Sequence, residues 1–123
     1  MPDAANKLRD CPALLTLRIL SGKWKTRILW TLRASVKRFG QLRRELPDAS
    51  AKVLTAQLRE LEAAGIIHRT ISKEGAVTVV SYAYTPLGRT LIPALDALGE
   101  WGLKNFDRFA GRTRFGRRST KVT

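Results

Sequence analysis

The chain has 123 residues, enough for one domain with a real core and too few for two. Its 23 Lys and Arg face 10 Asp and Glu, a net charge of +13, which points to a polyanionic partner, either nucleic acid or an anionic membrane surface. A single cysteine excludes an internal disulfide, no apolar run approaches the ~20 residues of a membrane span, and the N-terminus does not fit a signal peptide, so a soluble, cytoplasmic, nucleoid-associated protein is expected.

Residues 1–10 read as a mobile arm, 11–110 as the folded domain and 111–123 as a basic, disordered tail. A first helix starts at Cys11-Pro12, with Pro at the first helical position, where its missing N–H costs little. Leu14, Leu15, Ile19 and Leu20 offer apolar contacts, and Ser21-Gly22 interrupts the helix. A second helix fits 23–34, because Trp24, Ile28 and Leu32 recur on one face. Lys23, Lys25 and Arg27 crowd its start, the end that is already positive. Either an outside anion such as phosphate compensates them or they are simply solvated.

Residues 35–38 link to a short third helix carrying Phe39, Leu42 and Leu46, which Pro47 stops. After the tight PDAS connection, Ser50 is a natural N-cap for a fourth helix. Helix, short turn, helix is the helix-turn-helix pattern. In the fourth helix Leu54, Leu58 and Leu61 define the core side. Lys52, Ala56 and Arg59 fall roughly opposite, with Thr55 on the flank, and Gly65 ends the helix.

The period then changes. Residues 66–72 and 77–84 are rich in β-branched and aromatic side chains, and KEGA (73–76) is a turn between two strands. Thr85-Pro86 reopens a helix whose Leu87, Leu91, Leu95 and Leu98 continue through Trp101 towards Phe106, kinked at Pro93. Some 20 residues of helix would span about 30 Å. Such a helix either projects and buries its stripe on another chain or packs back on its own core.

The layout is mostly α with a small β-hairpin, a winged helix-turn-helix. In such folds the second helix of the motif enters the major groove. A face of Ser50, Lys52, Thr55, Ala56 and Arg59 suits that use: cations donate to guanine, a hydroxyl bonds a base edge or phosphate, and a methyl permits close approach. Lys37, Arg38, Arg43, Arg44 and, on the hairpin, Arg69 and Lys73 are candidates for the DNA backbone. Plain surface solvation is the other reading of these cations. From Cys11 to Arg44 there is no acid at all.

In order, the pieces CP (11–12), GKW (22–24), IL (28–29), RF (38–39), KVLTAQLRELEAAGII (52–67), Arg69 and SYAYTPLGRTLIPALDALGEW (81–101) resemble the HxlR-type winged helix-turn-helix regulators of bacteria and archaea. The resemblance implies a homodimeric DNA-binding regulator on near-palindromic operators, in which the N- and C-terminal helices make the dimer. Leu91, Leu95, Leu98 and Trp101 are then expected dimer contacts. Some members of the family use a cysteine matching Cys11 to sense electrophiles, quinones or disulfide stress, so a small electrophile or oxidant is a further expected partner. A helix N-terminus favours a reactive thiol, whereas a buried structural cysteine is the alternative. The sequence departs from the family at ASVK (34–37), in a wing without proline, at Ser81 and in the Arg-rich tail.

No cofactor box, metal-ligand cluster or catalytic motif stands out, and an enzyme is not expected. The rival reading is a nonspecific basic protein of chromatin or RNA. RNA binders stack bases on exposed aromatics, and Trp24, Trp30, Phe39 and Trp101 read better as core or dimer residues.

Overall fold

The computed structural model describes residues 8–110, and these fall into two units divided after Arg89. The first unit carries α1 (Pro12–Ile19), α2 (Lys25–Leu32), β1 (Lys37–Arg38), α3 (Phe39–Glu45), α4 (Ala51–Ala63), β2 (Ile67–Glu74), β3 (Val77–Tyr84) and α5 (Pro86–Arg89). The second carries α6 (Ile92–Lys104) and α7 (Phe106–Phe109). Residues 8–10, within the expected arm, have helical backbone, and the expected basic tail lies outside the described residues.

The core of the first unit is built from the predicted helical faces. Trp24, Ile28, Leu29 and Leu32 of the α2 region, Leu42 of α3 and Leu54, Leu58 and Leu61 of α4 are all buried, most of them completely. Each such side chain contributes about 1.5–3 kcal/mol by leaving water. Ser50 caps α4, its Oγ accepting the Val53 N–H at 3.1 Å. At the other end Gly65 takes φ +79°, its N–H reaching the Glu62 carbonyl while that of Ile66 reaches Leu61, a Schellman closure. The chain thereby leaves α4 straight into β2.

β1 was not foreseen. The stretch expected to be a plain linker pairs antiparallel with β3, Lys37 opposite Tyr82 and Arg38 opposite Ser81, giving the sheet order β1-β3-β2. Two residues are too few to show a period of two. The predicted hairpin is present, and its turn is the two residues Gly75-Ala76. Gly75 has φ +67° and Ala76 a negative φ, the combination of a type II′ turn.

α1 differs from expectation. Leu14, Leu15 and Ile19 are exposed together with Leu17, and only Leu20, at the C-cap, is buried. Leu20 is also held through its carbonyl, which accepts Thr26 Oγ1 at 3.0 Å. The C-terminal helix also differs. It breaks at Thr90 and Leu91 rather than kinking at Pro93, and α6 has 13 residues, about 20 Å. Pro93 has no N–H for the Arg89 carbonyl, and its ring collides with that carbonyl in a continuous helix, so the break comes one turn early. The helix is therefore shorter than the expected length of about 30 Å. Within the second unit Trp101 and Phe109 stack, ring centroids 5.7 Å apart.

Thr85 caps α5 as expected, accepting the Gly88 N–H at 2.9 Å while donating to the Gly65 carbonyl at 2.6 Å. This presses α5 onto the chain at Ile66. A Cβ on Gly88 would stand 1.9 Å from the Ile66 carbonyl oxygen and 2.9 Å from Tyr84 Cδ1. Gly88→Ala should therefore cost about 1–3 kcal/mol by overpacking, read as a lower urea midpoint at an unchanged slope.

Candidate nucleic-acid interface

Burial of Leu54, Leu58 and Leu61 fixes how α4 is turned about its axis. Ser50, Lys52, Ala56 and Arg59 are exposed on the other side, and Thr55 is half-buried at its edge. Ser50 has its oxygen committed to the cap and keeps a hydroxyl proton to donate. One residue of this region was overlooked: Val53 is 38% exposed beside Lys52. Its apolar side chain reads as core, and only its place outside the leucine row betrays it.

The structure sorts the cations. Lys25 pairs with Glu60, Arg27 with Asp48 at 3.5 Å, Lys37 with Glu45 at 2.9 Å and Arg38 with Glu74 at 2.6 Å. Lys23 and Arg27 also lie over the Trp24 ring, at 5.0 and 4.9 Å. Two of the three cations at the positive start of α2, Lys25 and Arg27, are thus paired within the chain. Lys37 and Arg38, expected on a DNA backbone, are likewise engaged by acids. Among the described residues no ion pair engages Arg43, Arg44, Lys52, Arg59, Arg69 or Lys73, and all six are exposed.

Those six are distributed around the motif. Arg43 and Arg44 close α3, where cations also suit the negative helix end. Arg69 and Lys73 stand opposite Tyr82 and Thr78, so they share one face of the hairpin. Tyr82 links that face to α4: burial pushes its phenol above the ordinary range, and the nearby charges of Arg69, Glu62 and Arg59 act on it in turn. Arg59 of α4 and Arg69 of the wing thus flank one buried tyrosine. Exposed Ile71 lies between Arg69 and Lys73 on the same strand face.

Cys11 is a free, exposed thiol at the N-cap of α1, making no side-chain cap bond. Burial as a structural cysteine is thereby overturned. Of the expected dimer contacts, Leu98 and Trp101 are exposed by 49% and 61%, and Leu91 is half-buried. Leu95 is 1% exposed and has no surface left to offer a second chain, a correction to its expected role. Among the described residues no group of three or more His, Cys, Asp or Glu is placed to hold a metal, and no helix is long and apolar enough to cross a membrane.

A helix-turn-helix whose second helix presents a mixed polar face, followed by a hairpin carrying cations, defines a winged helix-turn-helix DNA-binding regulator. The chain belongs to the HxlR-like helix-turn-helix family, whose model matches residues 19–110. It is 40% identical over 105 residues to the uncharacterized HTH-type transcriptional regulator YdeP of Bacillus subtilis, covering 85% of this chain and 81% of YdeP. Among solved structures it resembles the redox regulator HypR in its reduced form (TM-score 0.73, 41% identity, 78% of this chain and 94% of HypR). It also resembles the reduced form of the transcriptional regulator YodB from B. subtilis (TM-score 0.65, 28% identity, 75% and 90%).

The raised Tyr82 phenol has a consequence for stability. As pH rises through about 10, the unfolded chain releases a proton that the folded chain retains, so folding stability falls. Urea unfolding at pH 9 and pH 11 should show a smaller alkaline loss in Tyr82→Phe than in the parent chain.

Proposed function

We propose that the protein is a homodimeric transcriptional regulator that reads a near-palindromic operator with α4 in the major groove. The observation that carries this reading is the outward face of α4, where Lys52, Thr55, Ala56 and Arg59 are held out by a fully buried leucine row. Lys52 and Arg59 donate to guanine edges. Thr55 and Ser50 bond a base or phosphate, and Ala56 with Val53 meets thymine methyls. Arg43, Arg44, Arg69 and Lys73 take phosphates, giving affinity and register without sequence preference. Lys37 and Arg38 join them only where their acid partners let go.

The dimer forms through the exposed apolar residues of the terminal helices: Leu14, Leu15 and Leu17 of α1, and Leu98, Trp101, Leu103 and Phe106 of the C-terminal segment. Exposed apolar side chains on each of the two terminal segments support this reading. Two α4 helices about 34–36 Å apart then read successive major grooves. The protein acts in the cytoplasm, on the nucleoid.

Cys11 is the sensor. Its exposure supports this, as does the likeness to HypR, a redox regulator also solved in an oxidized form, and to YodB, also solved with quinone bound. Oxidation or alkylation at the start of α1 alters the dimer and with it the affinity for DNA.

The test is enrichment of sheared DNA from the source genome by the purified chain, at physiological salt with excess competitor. A few sharp peaks sharing an inverted repeat are expected. An even smear that salt removes would instead establish a nonspecific basic protein. On the enriched sequence Arg59→Ala should cost about 1–3 kcal/mol and relax preference at one base pair of each half-site, read by anisotropy on a panel of single-base variants. Diamide or a quinone should change operator affinity of the parent chain and leave Cys11→Ser unmoved; an equal response in both excludes Cys11 as the sensor.

A further inference from the structure

Glu74 is the single acid between Glu62 and Asp96. It ends β2, beside the turn, on a hairpin whose other charged side chains are Arg69 and Lys73. An unpaired carboxylate at the tip of a phosphate-facing hairpin opposes binding by like-charge repulsion. Here it is paired, because Arg38 Nη2 donates to Glu74 Oε2 at 2.6 Å.

The register explains the reach. Arg38 stands opposite Ser81, and Glu74 stands opposite Val77, so both leave the same face of the sheet. Val79 lies between Ser81 and Val77 on that face, and it is buried while Val77 and Thr78 are exposed. The pair thus spans from the start of α3 to the wing tip across a groove lined by Phe39, Val77 and Val79. Arg38 is also fixed through its backbone, its N–H donating to Gln41 Oε1 at 2.9 Å. Both partners keep about half of their side-chain surface in solvent, 53% and 55%, so another anion can contest the bond. Phosphate offers a guanidinium the same forked geometry as a carboxylate.

We propose that Glu74 is an intramolecular surrogate for a DNA phosphate: it occupies Arg38 and so keeps one would-be backbone contact out of the complex, damping affinity for duplex of any sequence. This rests on the winged helix-turn-helix reading above. In a chain of charge +13 such a damper limits capture by bulk DNA, where affinity comes almost wholly from phosphate neutralisation. Replacing the carboxylate by an amide releases Arg38 to a phosphate, and one more counterion contact is made on binding.

The experiment is a salt titration of the full chain on a random-sequence duplex by fluorescence anisotropy, comparing the parent, Glu74→Gln, Arg38→Gln and the double variant. Glu74→Gln should bind more tightly, with a log–log salt slope steeper by about 0.9. Its advantage over the parent should then shrink about 3.5-fold between 50 and 200 mM salt. The double variant should return to the parent slope, and Arg38→Gln alone should leave that slope unchanged. Circular dichroism checks that each variant is folded. An unchanged or weaker Glu74→Gln overturns the proposal. So does an equal gain in the Arg38→Gln background, which would be the general field of a lost acid. The parent chain reports separately on the underlying reading: if it does not bind duplex, both fall, and if it binds while Glu74→Gln matches it, only the damper falls.

Discussion

Three leucines turn α4. Leu54, Leu58 and Leu61 are enclosed against α2 and β2, and rotating the helix by even one residue about its axis would expose one of them. At about 1.5–3 kcal/mol apiece their burial far outweighs the ion pairs on the same helix, since an exposed pair is worth about 0–1 kcal/mol. The outward direction of Lys52, Ala56 and Arg59 is thus imposed by the core rather than chosen by the charges. The Ser50 cap and the Gly65 closure then set where the helix begins and ends, and so where β2 starts and how the wing meets the motif.

Charge is organised on top of that frame. Four acids of the first unit, Glu45, Asp48, Glu60 and Glu74, each take one cation, and all four of those cations lie in the stretch before α3 that carries no acid of its own. Among the described residues, the cations on α4, at the end of α3 and on the wing stand outside these pairs. Net charge alone says only that a polyanion is wanted. The pairing says which cations are already used, and so where a duplex backbone finds partners.

Most of the helical frame was legible because its signals are periodic and strong. The leucine row, the caps at Ser50 and Thr85, Gly65 and the positive-φ turn glycine all follow from local chemistry. What escaped was nonlocal or short. β1 has two residues and exists only through β3. The ion pairs Lys25–Glu60 and Arg38–Glu74 join residues 35 and 36 positions apart, so no window along the chain reveals them. The apolar side chains of α1 read as core because pattern alone does not distinguish an inner face from one left exposed. The break before Pro93 was misplaced because the collision falls on the carbonyl four residues earlier, not on proline itself. On α4 the exposure of Lys52, Ala56 and Arg59 follows from the leucine spacing, whereas the apolar side chain of Val53 hides it in a core pattern.

The central claim is that the face opposite the leucine row lies in the major groove. Guanine N7 sits in that groove, so dimethyl sulfate protection on the enriched DNA tests the claim directly. The account predicts two protected guanine clusters about 34–36 Å apart on one side of the duplex, the protection fading when Arg59 or Lys52 is removed. Protection confined to adenine N3 in the minor groove, or guanines equally reactive with and without protein, would contradict it.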